Sequence, residues 1–145
     1  QKIALTAYES GFDEEAISLA TELILDFGQN ADELGYDDAT HIGNIILGRV
    51  ALRKKELPKA KEYLLIAIRA PLRKNNSWLS EIDMQLAKEL LGAGERDVVT
   101  EYLRLCEGLS NLTTEKKLFE NQSKALKLWQ EQIKQGKTPT FDFYK

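Results

Sequence analysis

The chain has 145 residues, 43% hydrophobic and 30% charged, with a formal net charge of −3. Those values fit one soluble globular domain able to bury roughly two thirds of its unfolded surface, and with three prolines and nine glycines they exclude collagen-like and low-complexity classes. No apolar run approaches the roughly 20 residues of a membrane span, and the single cysteine, Cys106, excludes an internal disulfide framework and a thiolate zinc site.

In chain order, Ile3, Ala4, Ala7 and Tyr8 recur at helical spacing over residues 2–9, and Gly11 breaks the run. Asp13, Glu14 and Glu15 then place acids at the start of a second helix, where they oppose the positive end of its dipole. That helix runs to about Phe27 on an apolar stripe of Ala16, Leu19, Ala20, Leu23 and Ile24, with Gly28 as its C-terminal cap and a polar loop over 28–38. A third helix is expected from about Asp37–Thr40 to Lys54. A fourth runs from Pro58, which suits a first turn, to about Ala70, where Pro71 stops it. After a loop over 71–77, Ser77 caps a fifth helix, with Glu81 in the following turn and Leu79 to Leu91 as its apolar phase. The GAG of 92–94 ends it, and a sixth helix carries Val98, Val99, Tyr102, Leu103 and Cys106. Cys106 sits in that apolar phase and reads as a small buried hydrophobe. After Gly108 a loop leads to caps at Thr113/Thr114, and a seventh helix spans about Glu115–Gln135, with Leu118, Ala125, Leu126, Leu128, Trp129 and Ile133 as its apolar phase. The tail GKTPTFDFYK is not helical, and no alternating strand pattern competes with seven helices.

The helix pairs repeat. With Ala16, Ala60 and Val99 aligned, Ala4, Gly48 and Ala87 lie twelve residues earlier, Ala20, Leu64 and Leu103 four later, and Leu23, Ala67 and Cys106 seven later. Gly11, Lys55 and Gly94 mark the turns, each five residues before the anchor. The small residues let the two helices of each pair approach closely.

On Leu47, Gly48, Ala51, Ala60, Leu64 and Ala67, followed by Pro71, the middle pair resembles the tetratricopeptide repeat. The first and third pairs are degenerate, with Ala4 and Ala87 for the glycine and Val99 for an alanine. The anchor spacings of 44 and 39 exceed the family's repeat of about 34. More narrowly, HIGNIILGRVALRKKELPKAKEYLL and LAKELLGAGERDVVTEYLRLC look like a group of bacterial tetratricopeptide-like proteins. The resemblance implies an all-α, right-handed α-α superhelix of about three hairpins (1–27, 40–71 and 79–107) in one domain. A capping helix over 114–135, with Leu126 and Trp129 hiding the third hairpin, and a tail over 136–145 complete it. A generic bundle of helical hairpins is the plainer alternative.

The resemblance implies a non-catalytic module that binds a protein segment in a groove made by the first helix of each pair. Carried over by position, that groove is lined by Leu5, Tyr8, Ile45, Arg49, Leu52, Arg53, Met84, Lys88 and Leu91, which suits an extended or helical peptide with acidic groups. An equal alternative makes Tyr8, Leu52 and Leu91 half-buried packing residues. The family's two-carboxylate clamp, which needs Lys and Asn, is not carried, because those positions hold Gln1, Leu5, Ile46, Glu81 and Gln85. A regulatory or self-assembly domain cut from a larger chain is the second functional reading. Gln1 in place of Met keeps it open, and equally admits a leader removed before a periplasmic or secreted chain, beside a cytoplasmic one.

Charge is uneven. Residues 1–39 hold ten acids and one lysine (−9), 40–74 nine Lys/Arg and two Glu (+7), and 75–145 eleven acids and ten bases (−1). An anionic partner would use the basic middle, but mutual attraction of the acidic first and basic middle hairpins is the favoured reading. A pI near 5.3 and no interleaved aromatics argue against nucleic acid. Catalytic patterns are lacking: no GxSxG, HExxH, glycine-rich phosphate loop or CxxC occurs. The only histidine, His41, sits near a helix start beside Asp37 and Asp38, where a surface or capping role outweighs a thin metal site. The pairs Glu14/Glu15 and Asp37/Asp38 read as cap chemistry. The sequons at Asn75, Asn111 and Asn121 carry little, since Asn121 falls in a helix. No cofactor or metal is expected.

Overall fold

Seven α-helices and no strand make up the described residues, 1–28, 36–69, 82–112 and 116–143, of this computed structural model. They fall into two compact units. Residues Gln1–Lys74 hold α1 (Lys2–Glu9), α2 (Asp13–Gly28), α3 (Tyr36–Arg53) and α4 (Leu57–Ile68). Residues Asn75–Lys145 hold α5 (Gln85–Gly92), α6 (Arg96–Leu112) and α7 (Lys116–Lys134). Consecutive helices pack on one another: α1 on α2, α2 on α3 and α3 on α4 in the first unit, α5 on α6 and α6 on α7 in the second. The stop expected at Pro71, the cap at Ser77 with Glu81, Leu79 and the caps at Thr113/Thr114 lie outside the described residues.

Four helices end in the same way. At the end of α1 the N–H of Phe12 donates to the Ala7 carbonyl (2.9 Å) and that of Gly11 to Tyr8 (3.0 Å). Glu56 and Lys55 repeat the pattern on Ala51 (2.8 Å) and Leu52 (3.0 Å) after α3, and Glu95 and Gly94 on Leu90 and Leu91 (both 3.0 Å) after α5. Lys137 and Gly136 do so on Gln132 (2.8 Å) and Ile133 (3.0 Å) after α7. This double bond pattern satisfies carbonyls that a helix end leaves orphaned, and it requires a left-handed residue at the turn. Gly11, Gly94 and Gly136 supply it at φ of 82°, 87° and 81°, while Lys55 supplies it at 61° despite its side chain.

The positions in register with those turns are core. Ala4 and Ala87 are buried with Gly48, as are Ala16, Ala60 and Val99 on the second helices. In the first unit Ala4, Ala7, Tyr8, Ala16, Ala20, Ile46 and Val50 form one cluster, with Ile17, Leu19, Ile42 and Leu47 against it. α2 and α3 approach closely at Gly43, where a Cβ would stand 2.5 Å from Ile24 Cγ1 and 3.2 Å from the Ala20 carbonyl oxygen. Alanine there gains helix propensity of about 1 kcal/mol. It also forces a χ1-restricted side chain to move, an overpacking penalty of about 1–3 kcal/mol. Gly43→Ala is therefore expected to lower the urea midpoint, and an increase would show that α2 gives way freely.

Several boundaries differ from the sequence reading. α5 starts at Gln85 because Asp83 Oδ1 accepts the Gln85 N–H (2.7 Å), a local turn that competes with helix upstream, so Ile82–Met84 are not helical. α6 continues through Gly108 to Leu112, since Leu109 and Ser110 are buried and their packing outweighs the glycine. α4 ends at Ile68, two residues before the expected limit, and Gly28 is the last residue of α2 rather than a cap beyond it. On α7, Leu128 is 55% exposed and Phe119 takes a buried place instead.

Within α6, Tyr102 and Cys106 are fully buried, and the Tyr102 hydroxyl donates to the Asp83 carbonyl (2.8 Å). Burial pushes both the phenol and the Cys106 thiol well above their ordinary ranges, since neither anion is solvated there. A folded-state pKa raised above the unfolded value leaves stability intact below the unfolded pKa and removes it as pH rises, because only the unfolded chain releases the proton. With ordinary values of 9.0 and 10.0, the urea midpoint is expected to fall from about pH 9 upward, and Cys106 to resist alkylation until the chain unfolds. Prompt labelling of the native thiol would contradict this.

Candidate interaction surface

The sequence-derived groove residues divide between the two units. In the first, α1 and α3 bring Tyr8, Arg49 and Arg53 together. The guanidinium carbons of Arg49 and Arg53, one turn apart on α3, lie 4.3 Å and 3.8 Å from the centroid of the Tyr8 ring. Such stacking exploits the negative face of the ring and fixes long side chains that would otherwise be mobile. Arg53 is fixed further, since it donates to the Tyr8 carbonyl (2.9 Å) and pairs with Asp13 Oδ1 (2.5 Å).

Lys54 reaches Glu14 in the next step of the same seam (2.7 Å), and that hydrogen bond holds its ammonium above the usual lysine range. The acidic start of α2 therefore meets the basic end of α3, and the charge contrast along the sequence is partly answered inside the first unit. Both pairs are substantially exposed, so they fix register more than they stabilise.

The remaining positions are less uniform. Leu5 is at the margin of exposure at 36%, Arg49 and Leu52 are half-buried, and Lys88 on α5 is exposed. Tyr8, Ile45, Met84 and Leu91 are buried at 8%, 2%, 7% and 8% exposure. Ile45, Met84 and Leu91 are thus packing residues, because transfer of position from a repeat pattern does not register which side of each helix its neighbours cover. The accessible positions of the set are Leu5, Arg49, Leu52 and Arg53 in the first unit, with Arg53 engaged by Tyr8 and Asp13, and Lys88 in the second.

His41 departs from its expected surface or capping place at a helix start. It is wholly buried, and its Nδ1 lies 3.0 Å from the carbonyl of Ala67 in the last turn of α4. That geometry requires the proton on Nδ1 and gives a carbonyl in the last turn of α4 a side-chain donor. Thr40 and Asn44 are buried beside it in sequence, and Asn44 donates to the Thr40 carbonyl (2.7 Å). Neither His41 nor Gly43 had a periodic signal; the only hint was a glycine inside a helix, which generally has a packing reason.

The second unit has an open cleft of about 630 Å³ between α6 and α7, with Arg96, Glu107, Lys127 and Gln130 in its walls. Several of its polar groups are engaged: Gln130 donates to Glu107 (2.6 Å), Lys127 lies 3.9 Å from the same carboxylate, and Arg96 donates to the Ile133 carbonyl. Among the described residues no group of three His, Cys, Asp or Glu could hold a metal, and no helix is long and apolar enough to cross a membrane. Compared with known families, curated proteins and solved structures, the chain matches none of them.

Proposed function

We propose that the chain is a non-catalytic protein–protein interaction module, a tetratricopeptide-like right-handed superhelix of helical hairpins closed by α7. It would hold a segment of another protein against the first helices of its pairs. The observation that carries this reading is the recurrence of one turn after α1, α3 and α5, with buried small residues in fixed register before each. Stacked repeats of that kind create extended surfaces without needing chemistry in any one repeat. The groups best suited to chemistry support it too: the imidazole of His41 is bonded to a backbone carbonyl, and Cys106 is a buried thiol.

Leu5, Arg49 and Lys88 share one position of the repeat register and are the contact residues in this reading, which suits a partner segment with apolar and acidic groups. The test is the pair Arg49→Glu and Lys88→Glu in one chain, with a partner identified by co-purification. Capture is expected to be lost while the circular dichroism spectrum and melting temperature stay near wild type. Retained capture by the folded variant would reject the surface.

A further inference from the structure

We draw no further inference here: the strongest candidate, the outward face of α2, where Leu25 and the preceding Phe12 stand exposed together with Glu15, Glu22 and Asp26, carries none, because nothing in the structure shows what covers it.

Discussion

Replacing Trp129 with alanine is expected to destabilise the protein by about 3–5 kcal/mol, the range for truncating a large buried aromatic. The ring is 3% exposed and is held by two further aromatic side chains. Each aromatic pair adds about 0.5–1.5 kcal/mol beyond the area buried, so the upper part of the range is the better expectation. A melting temperature lower by on the order of 10–20 °C follows from the usual entropy of unfolding for a chain of this size. Trp129→Phe retains an aromatic face for Phe141 and Phe143 and is expected to lose less. An unchanged melting temperature for the alanine variant would mean that the ring and its aromatic contacts add nothing to the fold.

His41→Ala is expected to cost about 2–4 kcal/mol, from a buried cavity together with a helix-end carbonyl deprived of a side-chain donor. The comparison that isolates the hydrogen bond is His41→Asn, whose amide nitrogen stands close to where Nδ1 is and can donate to the Ala67 carbonyl. Asparagine is therefore expected to recover about 1 kcal/mol relative to alanine in urea unfolding, the usual net worth of one hydrogen bond. Equal losses for the two variants would assign the whole effect to packing. The contact joins residues 26 positions apart, so the imidazole fastens the beginning of α3 to the end of α4.

The sequence made the helices legible wherever amphipathic period and turn chemistry agreed. α7 was placed to within a residue at each end, because a sustained apolar phase meets Gly136. It failed where one side chain redirected the backbone, as Asp83 does before α5, and where distant packing overrode a local breaker, as Leu109 and Ser110 do beyond Gly108. Among the candidate site residues, the stacking of Arg49 and Arg53 on Tyr8 joins groups more than forty positions apart, beyond the reach of any local pattern. The charge contrast pointed to an attraction between the acidic first and basic middle hairpins but not to its pairs, Asp13 with Arg53 and Glu14 with Lys54. Burial of Ile45 and Met84 was hidden because repeat register fixes a residue's place along a helix better than the depth of its surroundings, whereas packing at Tyr8 and Leu91 was one of the two alternatives the sequence left open.

The repeated turn also bears on how the chain folds. Each closing pair of hydrogen bonds joins groups within six residues, so each of these four turns needs little loop-closure entropy and is formed from local contacts. The reversals are not equivalent, however. At Gly11, Gly94 and Gly136 the unfolded chain samples the left-handed conformation freely, whereas at Lys55 it visits that region seldom. Holding Lys55 in the left-handed region therefore costs the α3–α4 turn roughly 1–2 kcal/mol that the glycine turns do not bear.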